Sequence, residues 1–232
     1  MHTETRRSLR AVAEAILAGP QHRLTGSIRL YAAPDGFRTG PLGAPDRFIA
    51  VRGLDLVVSN AADERVIPVR GTLQELAEQA GVDLGAPVGL YSLAPDALAP
   101  TDTLEVDADA AAAIARAIAM GDEACRRFRE MLAADDVDAK PPTLWPEHFD
   151  IGITLEDVNY GVSCGDDLIP EPYAYVGPHQ VRSGAFWDQT FGATRLVEDL
   201  AGVPDLLAFF ELGRARAAQD PTIPTAERTD GS

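Results

Sequence analysis

Cysteine is scarce in this chain of 232 residues: Cys125 and Cys164 are the only two. Two cysteines cannot build a disulfide framework, and they do not stand at a metal-type spacing. Basic residues are also few, since 20 Lys and Arg against 36 Asp and Glu leave a formal net charge of −16. Phosphate backbones and anionic lipid both need clustered Lys and Arg, so neither nucleic acid nor a membrane surface is expected as a partner. No stretch approaches the roughly 18 apolar residues of a membrane span. The N-terminal MHTETRRSLRAVAEAILAGP is interrupted by Glu14 and striped at helical spacing, unlike the continuous run of a signal peptide. There is no P-loop, no GxGxxG, no GxSxG, no HExxH and no CxxC. The glycines of DGFRTGPLG (35–43) lack the Lys and following helix of a phosphate cradle. A reducing, cytoplasmic setting is expected.

What is present suits a packed core, with hydrophobic residues at 46%. We expect an α+β fold: one mainly antiparallel meander sheet with a long helix and the terminal helices packed on it. Residues 1–218 should form a single domain and 219–232 a disordered tail. Leu9, Val12, Ala13, Ile16 and Leu17 predict a helix over about 5–18, closed by Gly19 and Pro20. Strands are predicted at Leu24–Ala33, Arg47–Arg52, Leu54–Ser59 and Val66–Arg70, with a possible one at Val88–Leu93 and a turn at Pro34-Asp35-Gly36. Thr72 and Glu75 form a capping-box pattern for a helix ending at Gly81. Ala111, Ile114, Ile118, Gly121, Cys125, Phe128 and Leu132 stripe a long helix over about 107–132. Asp107 and Asp109 at its start and Arg126, Arg127 and Arg129 near its end follow the helix dipole, so these arginines need no polyanion. Arg195–Ala201 and Pro204–Ala218 read as two further helices.

The chain's reactive side chains concentrate in Leu144–Pro178. Phe149, Ile151, Ile153 and Leu155 alternate with Asp150, Gly152 and Thr154, and Val158, Tyr160 and Val162 alternate with Asn159, Gly161 and Ser163. A two-residue loop at Glu156-Asp157 would put Thr154 opposite Asn159, Gly152 opposite Gly161, Asp150 opposite Ser163 and His148 opposite Gly165. Glu-Asp is not the preferred pair for so tight a loop, so a longer loop with shifted register is the alternative. The facing glycines Gly152 and Gly161 leave a gap where a ring, backbone or ligand can approach. A third strand, Glu171–Gly177, either turns Glu171, Tyr173 and Tyr175 toward that gap or buries both tyrosine rings in the core.

The chemistry follows from that face. His148, Asp150 and Glu171 are the candidate catalytic residues, as an acid–base set or with a divalent metal completed by another carboxylate or His179; Glu147 is a second candidate to orient His148. Against this stands a solvated histidine of no special role. Asn159, Ser163, Tyr173, Tyr175, Gly152 and Gly161 are the candidate ligand-binding residues. Asp166 and Asp167 are either a hard-cation pair or turn residues before Pro170. Cys164 falls on the core side, which favours an inert thiol over a nucleophile. Trp145 and Trp187 are stacking platforms or core anchors. The expected partner is a small molecule; the alternative is a non-catalytic binding or interaction module. Cofactor, metal and oligomeric state are not specified by the sequence.

The order of IRLYAAPDGFRTGPL, FIAVRGLDLVV, FREML, FDIGITL and PEPYAYVGP, across most of residues 7–178, resembles a group of actinobacterial proteins of unknown function, the DUF5996-like proteins. The resemblance implies fold and context and no activity. Asp150 and the tyrosine-rich strand fit its pattern, whereas His148 does not.

Overall fold

The computed structural model describes residues 2–60, 63–87, 89–133 and 140–223. The chain opens with helix α1 (His2–Val12), which passes through a π-helical turn (Ala13–Ala18) into α2 (Gly19–Thr25). Gly19 and Pro20 therefore do not close the helix, contrary to expectation. Proline has no N–H and its ring crowds the carbonyl four residues back. The wider turn relieves this, because the Gly19 N–H donates to the Glu14 carbonyl. That leaves the Ala15 carbonyl without its helical donor, and the Gly85 N–H, far along the chain, supplies one at 3.0 Å. The helix ends at Gly26, whose φ of 74° suits glycine.

Strands β1 (Tyr31–Ala33), β2 (Gly36–Arg38), β3 (Phe48–Arg52), β4 (Asp55–Asn60) and β5 (Asp63–Pro68) form an antiparallel meander in sequence order. The strand predicted from Leu24 shrinks to β1, since Leu24 is helical and exposed. Helix α3 (Leu73–Ala80) has the expected capping box: Thr72 accepts from the Glu75 N–H, Glu75 accepts from the Thr72 N–H, and Gly81 ends it at φ 67°. Residues 89–91 are turn and bend and 92–93 are irregular rather than strand, and Val88 lies outside the described residues.

Helix α4 (Ala108–Ala133) is capped by the Asp107 side chain, which accepts from the Ala110 N–H at 3.0 Å. Its predicted stripe is buried. Arg126 pairs with Asp122 and Glu123, and Arg127 with Glu123, along the helix surface. A second meander follows: β6 (Thr143–Trp145), β7 (Asp150–Leu155), β8 (Val158–Ser163), β9 (Tyr173–Pro178) and β10 (Ala193–Leu196). β10 takes the first two residues of the helix predicted over Arg195–Ala201, because Ala193 and Arg195 pair with Val176 and Ala174 of β9, and only a 3-10 turn, Val197–Asp199, remains of it; a run this short carries no decisive period. Helix α5 (Val203–Gln219) closes the fold as expected. Residues 219–223 are not a loose tail: the Ile223 N–H donates to the Val181 carbonyl at 2.8 Å. Residues 224–232 lie outside the described residues.

The architecture is thus α+β with two five-stranded antiparallel sheets where one sheet was expected. Among the described residues, the sheets meet at one bridge, Leu30 to Leu144, with N–H to O distances of 3.1 and 2.9 Å. Helix α4 packs on both, against β2 of the first and β7 and β8 of the second. A Cβ on Gly121 would stand 2.6 Å from the Ile151 Cγ2, so the missing side chain lets α4 lie directly on β7.

Candidate functional site

The hairpin β7–β8 sets the floor of the site. Glu156 and Asp157 occupy positive φ, 48° and 60°, as a two-residue turn requires, and the pairing is the expected one. Asp150 faces Ser163, Gly152 faces Gly161, and Thr154 faces Asn159. Tyr160 is in the core, its ring 5.0 Å from Phe128 and 5.6 Å from Phe210. Strand β9 pairs Tyr173 with Ser163 and Tyr175 with Gly161, so both tyrosines belong to the glycine face.

The gap left by the glycines is filled by Tyr175. A Cβ on Gly152 or Gly161 would fall 2.8 or 2.6 Å from its phenolic oxygen. With the ring lying across the sheet, the hydroxyl donates to Oδ2 of Asp150. Asp150 is 9% exposed, and its Oδ1 has no hydrogen-bond partner. Burial drives its carboxyl up to about 6, opposed by the Tyr175 hydrogen bond and by the nearby His148, while Glu147 adds to the rise. Burial and the adjoining Asp150 hold the Tyr175 hydroxyl well above its ordinary range, so the phenol is a donor and not a base.

His148 is not on the strand. Residues 146–149 form the turn from β6 to β7, with Phe149 at φ 50°, its N–H on the Trp145 carbonyl at 2.8 Å and its carbonyl accepting from the Cys164 N–H at 3.2 Å. The positive φ at Phe149 breaks the alternation, so His148 does not oppose Gly165 and stands exposed at the rim beside Glu147. Glu171 precedes β9 and is exposed away from the lining; it is not part of the site, because the strand begins only at Tyr173. Two adjoining hollows of about 370 and 290 Å³ share a wall of Glu147, His148, Asp150, Asn159 and Tyr175.

The other candidates resolve on local contacts. Asp166 Oδ1 accepts from the Leu168 and Ile169 N–H groups at 2.7 and 2.8 Å, and its Oδ2 takes the Tyr173 hydroxyl at 2.5 Å. Asp167 pairs with Arg6 at 3.3 Å. The Asp166-Asp167 pair is therefore occupied as a turn. His179 is at the far end of the hairpin, 3.3 Å from Asn159, and does not join His148. Among the described residues, no three His, Cys, Asp or Glu side chains form a metal-holding group. Cys164 and Cys125 are buried, which pushes both thiols up and removes nucleophilic character. Trp187 donates to Asp220 at 3.0 Å, and Trp145 lies under the Arg29 guanidinium at 5.9 Å, half-exposed on the wall of the smaller hollow.

Sequence reasoning missed the side of the larger hollow built by α1. Arg6, 3% exposed, donates to the Gly165 carbonyl at 2.9 Å, and Arg10 pairs with Asp96. Four residues on, Glu14 is buried in the π-helical turn and driven up to about 7 by desolvation, against the pull of Arg10. The spacing Arg6, Arg10, Glu14 was the available signal, a charged ridge beside the apolar stripe on one helix. Phe149, Leu168 and Phe191 complete the lining. No family model, curated protein or solved structure matches the chain.

Proposed function

We propose that the chain binds a small molecule in the hollow beside Asp150 and transfers a proton to or from it, with Asp150 as the acid–base group. The observation that carries this is Asp150 itself: a buried carboxyl on the wall of a 370 Å³ hollow, held on one oxygen by Tyr175 and unpartnered on the other. A carboxyl that titrates at about 6 is protonated or ionised within the working range of an acid–base catalyst. His148, exposed on the same rim, is placed to relay the proton to solvent. Asn159, Ser163 and Tyr173 line the ligand's side of the hollow, and Gly152 and Gly161 hold Tyr175 flat beneath it. A divalent metal is the weaker form of the same reading, since no third ligand joins His148 and Asp150 among the described residues.

A non-catalytic module is the rival, favoured by the apolar Leu168 at the mouth, 75% exposed. A thermal-shift screen across small-molecule classes tests both, because a ligand that binds only the folded state raises its apparent stability. We expect a restricted set of compounds to stabilise the wild type and to lose at least tenfold in affinity on Asp150→Asn. Compounds that stabilise wild type, Asp150→Asn and His148→Ala equally bind elsewhere and remove the site. Conversion of a hit by the wild type, lost in Asp150→Asn even at concentrations that saturate the weakened variant, decides for the enzyme; binding with no conversion decides for the module.

A further inference from the structure

The charged groups around the larger hollow divide into those already engaged and those left over. Arg6 is committed to the Gly165 carbonyl and Asp167, and Arg10 to Asp96. Asp166 is committed to two backbone N–H groups and Tyr173. Three buried polar atoms of the lining have no hydrogen-bond partner: Asp150 Oδ1, Glu147 Oε2 and the Nε of Arg6, whose other two nitrogens are engaged. The charge of Arg6 is answered by Asp167, whereas neither Asp150 nor Glu147 has an ion-pair partner among the described residues, and their free oxygens can only accept when ionised. Aromatic rings stand on the same wall: Tyr173 is 6.4 Å from Tyr175 and 6.4 Å from Phe191. Unengaged carboxylates beside ring faces complement a cation that has both N–H donors and carbon surface.

We propose that the hollow takes a small organic amine, bound as its ammonium ion, with N–H donors directed to Asp150 and Glu147 and its carbon skeleton against Tyr173, Tyr175 and Phe191. This rests on the cavity reading above and narrows its ligand. An anionic ligand would instead have to compete with Asp167 and Asp96 for Arg6 and Arg10, with the Arg6 Nε–H as the one donor left over, and approach two unpaired carboxylates. The net charge of −16 works in the same direction, enriching cations near the surface. Asp150 is faced by Glu147 and His148 from the β6–β7 turn, Tyr173 and Tyr175 from β9, Cys125 from α4 and Cys164 after β8. Ammonium binding should accordingly strengthen as Asp150 ionises above about pH 6.

Benzylamine, benzyl alcohol and benzoate share a ring and a size and differ in charge, and so test the class in a melting experiment on the full chain. At pH 8 benzylamine should raise the melting temperature while the alcohol and the acid do not, and the shift should shrink at pH 5. Asp150→Asn and Glu147→Gln should each weaken benzylamine at least fivefold. Glu147 is only half-buried, so its variant reads binding even where Asp150→Asn fails to fold. Preference for benzoate, or equal shifts from all three, overturns the amine and leaves the cavity reading standing. Benzylamine affinity unchanged in both variants places the amine elsewhere and overturns the proposal. No shift from any of the three also overturns it, and the broad screen then decides the cavity reading by itself.

Discussion

At Tyr175 one side chain occupies the space that Gly152 and Gly161 leave and holds the buried carboxyl of Asp150. Replacing it with phenylalanine keeps the ring and removes the donor. A hydrogen bond to a charged group contributes on the order of 1.5–3 kcal/mol, so Tyr175→Phe should lose about that much at pH 8. The sign with pH follows from the raised carboxyl of Asp150. A carboxyl lifted from 3.8 to about 6 on folding favours the folded state at low pH, and this support is lost as pH rises through 6. Removing the phenol lifts the carboxyl further, so the deficit should narrow toward pH 5. Urea unfolding at both pH values checks this, and a deficit independent of pH would separate Tyr175 from Asp150. The alternation showed that both tyrosines share a face but not which face, because Ala174 and Val176 suit the core as well as the rings do. The glycine pair was legible as a gap, whereas its occupant comes from a different strand.

Among the elements, α4 shows how little space separates helix from sheet. A Cβ at Gly121 would stand 2.6 Å from Ile151 Cγ2 and 2.9 Å from Val162 Cβ. On an isolated helix Gly→Ala stabilises by about 1 kcal/mol. Here overpacking should reverse the sign, and Gly121→Ala should destabilise by roughly 1–3 kcal/mol in urea unfolding. A stabilised variant would mean that α4 does not press on β7 and β8 at this point. The stripe of α4, the cap of α3 and the β7–β8 hairpin were readable because each is a pattern within a few residues of itself. The first helix was read short, because the Ala15 carbonyl that Pro20 leaves unpaired is satisfied by Gly85, far away in sequence. His148 was misplaced for a similar reason: the positive φ of Phe149 interrupts a strand that the letters alone would continue.

Over the whole molecule, charge and burial set the response to pH and salt. Glu14 and Asp150 are both lifted by desolvation, to about 7 and about 6, so both favour the folded state when protonated. Asp96 and Glu156 are lowered by Arg10 and Arg214, and their support is already complete above the ordinary carboxylate range. Between pH 5 and 8 the raised pair loses this support, and the melting temperature should fall as pH rises. Self-repulsion at −16 adds to that fall, and salt, which screens exposed charges, should recover part of it at pH 8. Scanning calorimetry at two pH values with and without added salt measures both effects. A melting temperature that climbs from pH 5 to 8 would show that the raised carboxyls do not govern stability in this range.

Period and turn chemistry within the sequence determined that the chain is α+β, that its strands run as antiparallel meanders, and that Asp150, Gly152, Gly161, Asn159 and Ser163 share one face. These depend on residues close together along the chain, where a period of two or of 3.6 is enough to assign a side. Only the tertiary structure decided that the meander divides into two sheets joined at Leu30 and Leu144, and that Arg6 and Arg10 form the far side of the hollow. It also decided that Tyr175 holds Asp150 and that Glu171 stands outside. Each of these depends on which distant segments meet, and that is set by how whole faces pack rather than by any local repeat.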